Sequence, residues 1–217
     1  MFKKILLPAL SLTGLALSGC ATQHTTSYPN FVPTAIGQNQ TQIANSLFVI
    51  LDASNSKNNI FDGNTSGKTK FDIQKQFLAQ MNQTIPTNIK LSTGLRNFGF
   101  GSCLNWGSTE LLQASTDHSQ AKFQTSLDAA NCASGGSPME SALAATSTDL
   151  DSASGNIALL IISDGHQISP TAITEAQNLK NKFADRLCIY SVWVGNKEEQ
   201  AGQFFLQGLS NIAGCGQ

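Results

Sequence analysis

Two short apolar runs, each followed by an acidic residue, constrain the fold of this chain most strongly. Residues 47–51 lead directly into Asp52, and residues 157–162 lead through Ser163 into Asp164. Continuous apolar runs of this length are typical of parallel strands that are buried on both faces. Segments with helical spacing separate the strand signals, so we predict an α/β fold with a mostly parallel sheet.

Signals for further strands and helices alternate along the rest of the chain. From apolar runs and alternation we predict strands at 47–51, 89–100, 109–114, 157–162 and 187–194. The second and third of these strands are close in sequence and look like a hairpin. From apolar spacing we predict helices at 71–81, 120–130, 139–150, 170–183 and 198–212.

The N-terminus is typical of a targeting segment. Lys3 and Lys4 precede an apolar stretch over 5–17, which has the length of a signal peptide and is too short to span a bilayer. The stretch ends in Leu-Ser-Gly-Cys at 17–20, which resembles the lipobox of bacterial lipoproteins. That resemblance implies cleavage before Cys20 and lipid attachment to Cys20. An ordinary secretory signal with a chance cysteine is the alternative.

These features predict a signal peptide at 1–19, a polar tether at 20–45 and a folded domain at 46–217. The tether is rich in Thr, Gln and Asn and has no apolar periodicity. The domain is long enough to bury one sizeable core. The residue after Cys20 is not Asp, which for an enteric-type lipoprotein implies the outer membrane. We therefore expect a lipid-anchored protein of the bacterial cell envelope.

The charge content argues against one class of partner. Charged residues make up 12% of the chain, about half the usual share, and the net charge is −1. Because no basic stripe is present to hold phosphates, we expect no nucleic-acid partner. No second apolar run in the sequence approaches the length of a membrane-spanning helix.

The cysteines indicate an oxidising compartment. Of the five in the sequence, one is Cys20, and the other four are Cys103, Cys132, Cys188 and Cys215. An even number in a secreted domain predicts two disulfides, for which three pairings are open. A zinc site is the alternative, but no Cys-x-x-Cys motif or nearby Cys/His pair supports it.

The strongest candidate for a functional site follows the first apolar run. Asp52, Ser54 and Ser56 place one carboxylate and two hydroxyls on a loop. Hard oxygen ligands of this kind suit Mg²⁺, Mn²⁺ or Ca²⁺ rather than zinc. Asp and Ser are also ordinary turn and cap residues, so a plain turn is the alternative.

Two more oxygen donors follow further along the chain. Asp164 comes after the second strong strand, and Ser137 lies in a Gly-Gly-Ser-Pro-Met loop before a predicted helix. Taken singly, Asp164 would be a turn residue and Ser137 would cap the helix, with Pro138 at its first position and Glu140 completing a capping box. The order of the three features along the chain favours one shared site.

In that order, Asp52, Ser54, Ser56, Ser137 and Asp164 resemble the metal-ion-dependent adhesion site of the von Willebrand factor A (vWA) family. The resemblance covers essentially the whole folded region. It implies a doubly wound, mostly parallel sheet flanked by helices and ordered 3-2-1-4-5-6, in which only the third strand is antiparallel. Asp52 and Asp164 would then end neighbouring strands where the winding reverses, which is where open α/β sheets bind ligands.

The resemblance also implies how such a site works. Ser54, Ser56 and Ser137 would bind a divalent cation directly, with Mg²⁺ expected first, and the two aspartates would act mainly through water. An open position on the cation would accept a carboxylate from a protein partner. We expect a binding module and not an enzyme, since the sequence offers no catalytic base or Gly-x-Ser-x-Gly elbow. A structural envelope lipoprotein with a non-functional metal site is the alternative.

Three departures from the family pattern bear on these expectations. Ser137 replaces the usual Thr. Lys57 replaces a common Met after Ser56, and it either brings a cation near the metal or points into solvent. The chain also stops at Gln217, near where a sixth strand and a last helix are expected, so we expect either a fragment or a domain shortened at its C-terminus.

The implied topology selects between the disulfide pairings. It places Cys103 and Cys132 at the metal-bearing edge of the sheet, and Cys188 and Cys215 at the opposite edge. We therefore expect Cys103–Cys132 and Cys188–Cys215. Cross-pairs would have to span the sheet, which is much further than the ~4–7 Å between bridged Cα atoms.

Other polar residues fit simpler interpretations. His166 follows Asp164 closely and is expected to be an exposed loop residue near the metal edge. Asp128, Asp149 and Asp151 suggest no paired-carboxylate site and are interpreted as helix-end and solvent charges. The stretch 63–69 looks like a phosphate loop but has one residue too few between its glycines, so we interpret it as a solvated loop.

Overall fold

The two apolar runs form neighbouring strands at the centre of a five-stranded sheet. The strands are β1 (Ser46–Asp52), β2 (Ser92–Phe98), β3 (Thr109–Asp117), β4 (Ile157–Ser163) and β5 (Leu187–Trp193). They lie in the order β3-β2-β1-β4-β5. All neighbouring pairs are parallel except β2 and β3, which pair in the antiparallel direction as the hairpin prediction requires.

The computed structural model describes residues 41–63 and 66–216. Its five α-helices flank the sheet: α1 (Lys70–Thr84), α2 (Gln120–Ala129), α3 (Met139–Asp149), α4 (Thr171–Phe183) and α5 (Gln200–Ala213). None of the helices in these residues is long and apolar enough to cross a membrane. The predicted α/β class, with a doubly wound and mostly parallel sheet, is confirmed.

The central strand β1 has a separate hydrophobic core on each of its faces. Phe48 and Ile50 pack into the core that α3, α4 and α5 cover, whereas Val49 and Leu51 pack into the core that α1 and α2 cover. Successive strand side chains point to opposite faces, so a strand between two helical layers must be apolar throughout. This is the physical reason for the uninterrupted apolar run before Asp52.

Because four of the five strands are parallel, the sheet has two distinct edges. We call the edge where β1, β2, β4 and β5 end the carboxyl edge, and the edge where they begin the amino edge. Asn45 lies at the amino edge and binds the backbone there, its N–H donating to Asn156 O at 2.8 Å. The residues that precede β1 therefore join the folded domain at the amino edge.

Both expected disulfides are present, one at each edge. Cys103 and Cys132 have Cα atoms 5.6 Å apart, and Cys188 and Cys215 have Cα atoms 5.5 Å apart. The predicted signal peptide, Cys20 and the tether as far as residue 40 lie outside the described residues. The sixth strand implied by the resemblance is not among the strands of 41–63 and 66–216.

Candidate functional site

Asp52 and Asp164 lie side by side at the carboxyl edge, at the ends of the two central strands. Asp52 is the last residue of β1, and Asp164 follows the last residue of β4. Both are completely buried. Ser163 joins the two strand ends, since its hydroxyl donates to Asp52 Oδ2 at 2.5 Å. The predicted convergence of the two carboxylates is therefore present.

The loop after β1 holds Ser54 and Ser56 beside Asp52. The backbone N–H of Ser54 donates to Asp52 Oδ1 at 2.9 Å, which closes a tight turn directly after the strand. The Ser54 and Ser56 hydroxyl oxygens are 3.4 Å apart, and Ser56 remains half-buried while Ser54 is enclosed. Of the two, the Ser56 hydroxyl is therefore the one nearer to solvent.

Ser137 lies in a neighbouring loop at the same edge. That loop is held against the first one by Asn55, whose N–H donates to Gly135 O at 2.9 Å. Helix α3 begins at Met139 with Pro138 as its N-cap, and no side chain caps it. The alternative interpretation of Ser137 as a plain helix cap is therefore wrong. Among the described residues, its hydroxyl makes no hydrogen bond to the other four predicted ligands.

Lys57 points inward, and its ammonium lies between the two aspartates. Nζ is 3.0 Å from Asp52 Oδ2, pairs closely with Asp164 Oδ1, and donates to Ser56 Oγ at 2.7 Å. The Lys57 side chain is completely enclosed. Of the two orientations expected for this residue, the structure adopts the one near the site and excludes the solvent-facing one.

A second buried lysine completes the charge pairing from the far side of Asp164. Lys70 Nζ lies 3.0 Å from Asp164 Oδ2 and 2.5 Å from both carboxylate oxygens of Glu199. Lys70 is held there because α1 starts at this residue, with a capping box between Thr69 and Asp72 fixing the helix start. Three carboxylates and two ammonium groups therefore form one network.

The loop after Asp164 packs so closely on α5 that only glycine fits. Gly165 has a positive φ of 72°, and a Cβ placed there would lie 2.4 Å from the backbone of Gly202. The indole N–H of Trp193 donates to Asp164 O at 3.0 Å. Asp164 is therefore fixed by its backbone as well as by its carboxylate.

Comparison with known proteins shows similarity of structure only. No protein-family profile matches the sequence, and no curated protein sequence matches it. An aerotolerance-related membrane protein from Bacteroides fragilis superposes with a TM-score of 0.59 and 12% identity, over 79% of this chain and 89% of that one. The pilus adhesin SpaC from Lactobacillus rhamnosus GG superposes with a TM-score of 0.58 and 11% identity, over 82% of this chain and 29% of that one.

The strand order and the single antiparallel strand are those that the sequence resemblance implied, with Asp52 and Asp164 at the point where the winding reverses. The fold is von Willebrand factor A-like. A von Willebrand factor type A structure from Catenulispora acidiphila also matches, more loosely, with a TM-score of 0.46 and 16% identity over 80% of this chain and 44% of that one. The two superpositions with TM-scores of 0.59 and 0.58, at 12% and 11% identity, show a shared fold alone, so function has to be argued from the site.

The charge pairing in the vWA-like site shifts the acidity of Asp164. Burial raises the pKa of this carboxyl. The charge of Lys57, together with hydrogen bonds from Lys57, from the His166 backbone N–H and from Lys70, more than offsets burial and lowers the pKa from 3.8 to about 2. Asp164 is therefore ionised at physiological pH.

The five predicted ligands of the vWA-like site suit a hard cation, but their arrangement does not fit one. Lys57 Nζ already contacts three of them. Within the described residues, no group of three or more His, Cys, Asp and Glu side chains is placed to hold a metal. A divalent ion at this position would have to displace a buried ammonium and would lie close to that of Lys70. The predicted Mg²⁺, Mn²⁺ or Ca²⁺ therefore stays a prediction.

An exposed aromatic pair borders the vWA-like site. Phe100 and Trp106 are 50% and 72% exposed and meet edge to face, with ring centroids 6.5 Å apart. The Phe100 N–H donates to Ser134 O, and the Ser134 hydroxyl donates to Phe100 O, so the pair is fixed to the loop that carries Ser137. The Cys103–Cys132 disulfide joins the same two loops.

The sequence did not indicate several residues of the site, and the exposure predicted for one aspartate elsewhere was wrong. Lys70 and Glu199 lie 129 residues apart in the chain, and no local pattern links them. The exposure of Trp106 was also not predicted. Asp149 ends α3, as expected, but it is not a solvent charge, because it is largely buried and accepts two hydrogen bonds from Arg96, at 2.7 and 3.0 Å. His166 is exposed beside the site, as expected.

Proposed function

We propose that this chain is a binding module that engages a protein partner through the carboxyl edge of its sheet. The observation that carries the proposal is the exposed pair Phe100 and Trp106, fixed beside the loops of Ser56 and Ser137. Large aromatic side chains that stay rigid and exposed next to hydroxyl groups are typical of the energetic centre of protein interfaces. The disulfide between Cys103 and Cys132 reduces the ordering cost of binding there.

The direction of the chain supports a role at a membrane surface. The described residues before β1 lie at the amino edge, and β1 spans the sheet over seven residues, or roughly 20 Å. If Cys20 carries lipid, the tether would leave the domain on the side opposite to Trp106. We therefore propose that the lipid-anchored domain presents its carboxyl edge away from a bacterial envelope membrane, with the outer membrane as the expected location.

The metal-mediated form of this function is a narrower proposal. In that form a divalent cation, held by Asp52, Asp164 and the serines, would bind a carboxylate of the partner. The inward position of Lys57 does not fit such an ion, so no step of the proposed function passes through a metal. The structural-lipoprotein alternative gains support from the same observation, because it expects a non-functional metal site.

The proposal is tested by comparing two exposed aromatic residues on the intact, membrane-anchored chain. Trp106→Ala removes the centre of the proposed surface, whereas Phe204→Ala removes a 68% exposed aromatic on α5. After covalent cross-linking in cells, we expect the yield of specific adducts to fall at least about tenfold in Trp106→Ala and to stay unchanged in Phe204→Ala. Equal cross-linking by the wild type and both variants would contradict the binding role of the carboxyl edge.

A further inference from the structure

The Lys57 ammonium lies at the centre of the predicted ligand set. It contacts Asp52 at the end of β1, Asp164 directly after β4, and Ser56 in the segment between β1 and α1. These three residues come from two separate segments of the chain. A cation placed to contact all three at once has the position that the family resemblance gives to a metal.

The hydrogen bonding of this ammonium is complete. A lysine ammonium has three N–H donors, and Lys57 has three acceptors, one from each of these residues. The carboxylate oxygens are also fully engaged. Asp52 accepts from the Ser54 N–H and the Ser163 hydroxyl, and Asp164 accepts from the His166 N–H and from Lys70. No carboxylate oxygen of either aspartate is left without a donor.

We infer that Lys57 is a built-in cation, whose ammonium takes the place of a divalent ion and lets the site assemble without metal. This role of Lys57 concerns how the carboxyl edge, which the proposed function uses, is held together. It does not depend on whether a partner binds at that edge.

Electrostatics favour this arrangement over a bound ion. Two buried carboxylates at the ends of neighbouring strands repel each other and need a counter-charge. Lys57 supplies it at the cost of desolvating a monovalent ammonium, which is smaller than the cost of stripping water from a divalent ion. Lys70 supplies a second counter-charge to Asp164. An added divalent ion would meet two ammonium groups that are already paired. Because the Lys57 side chain is completely enclosed, it cannot swing into solvent without opening the loop.

The replacement changes what the carboxyl edge can recognise. A metal with an open position binds a carboxylate directly, but an enclosed ammonium offers no such position. The partner would then contact groups nearer the surface, such as the Ser56 hydroxyl and Trp106. Partner binding at this edge should therefore be insensitive to chelators.

The test uses the full chain and Mn²⁺ alone as the probe. Lys57→Met keeps a stem of similar length, restores the residue common in the family pattern and removes the charge. We expect the wild-type melting temperature to be the same in Mn²⁺ and in chelator. We expect Lys57→Met to melt about 10 °C lower in chelator, because its aspartates lose their counter-charge, and to regain at least half of that loss in Mn²⁺.

A control variant and a direct binding measurement keep the test decisive. Lys90→Met changes an exposed lysine and should match the wild type in both conditions. Electron paramagnetic resonance should detect no protein-bound Mn²⁺ in the wild type even if Lys57→Met fails to fold. Bound Mn²⁺ in the wild type that Asp52→Ala removes would overturn the inference. So would a folded Lys57→Met that Mn²⁺ does not stabilise. Either result would leave the Trp106 cross-linking experiment unaffected.

Discussion

The two edges of this sheet are held together by different chemistry. The carboxyl edge buries ionised side chains, with Asp52 and Asp164 paired to Lys57. At the amino edge the strand starts are joined through backbone and amide groups: Asn45 and Asn156 exchange hydrogen bonds of 2.8 and 3.0 Å, and Arg186 donates to the Gly155 carbonyl at 2.7 Å. Neutral hydrogen bonds tolerate the loss of a partner far better than buried charges do. The difference shows where this fold depends on complete pairing.

The largest expected effect comes from removing one charge at the carboxyl edge. Asp164→Asn keeps the shape of the side chain but leaves Lys57 and Lys70 short of one negative charge. We expect the free energy of unfolding to fall by about 3–5 kcal/mol, since an unpaired buried charge is costly. Urea denaturation of the purified domain measures this.

The matched control is an aspartate in an exposed ion pair. Asp151 is 58% exposed at its side chain and lies 2.6 Å from Lys182, which is 41% exposed. Asp151→Asn should change the free energy of unfolding by no more than about 0.5 kcal/mol, because solvent screens the pair. Equal losses in the two variants would show that burial of the Asp164 network does not matter.

Removing each disulfide should have a similar effect on global stability but a different effect on local order at the two edges. Their cysteines are 29 and 27 residues apart, so removing either pair by Cys→Ser should cost a similar amount, about 3–4 kcal/mol. Hydrogen exchange should rise around 99–107 and 131–137 only when Cys103 and Cys132 are replaced. A rise there after replacing Cys188 and Cys215 would contradict the independence of the edges.

The smallest expected effect is a difference in acid sensitivity. Burial lowers the pKa of His118, at the amino edge, below 6.5, so its contribution to stability is full above pH 6.5 and is lost as the pH falls through the lowered value. The pKa of Asp164 is lowered from 3.8 to about 2, so its contribution of roughly 2 kcal/mol is full above pH 3.8 and is lost as the pH falls toward 2.

Acid titration of unfolding free energies separates the two edges. The difference in the free energy of unfolding between wild type and Asp164→Asn should stay constant from pH 7 to about pH 4 and shrink below that. The gap between wild type and His118→Asn should instead change near and below pH 6.5. A gap for Asp164→Asn that closes near pH 6 would contradict the assignment of the lowered pKa to Asp164.

Much of the fold could be predicted because its signals are local. The runs before Asp52 and Asp164 mark strands buried on both faces, and the spacing of the later segments marks helices. The approach of Asp52 to Asp164 also followed from the sequence, through the resemblance and the rule that parallel strands end at one edge. The pairing of the cysteines followed from the same topology.

The remaining features depend on contacts between distant segments. Lys57 was recognised beside the predicted ligands, but the sequence left its direction open. Lys70 reaches Asp164 from 94 residues earlier in the chain, and Glu199, directly before α5, pairs with Lys70. No local pattern in the sequence predicts either contact. The 72% exposure of Trp106 likewise depends on how its loop packs against the rest of the fold.

The sequence by itself determined the strands, the helices, the candidate oxygen ligands and the edge at which they gather, because these depend on burial patterns and on chain direction. Only the tertiary structure decided what compensates the charge of those ligands. An ammonium on a flexible stem goes where acceptors satisfy all its protons, and here Asp52, Ser56 and Asp164 provide them together only once β1 and β4 lie side by side.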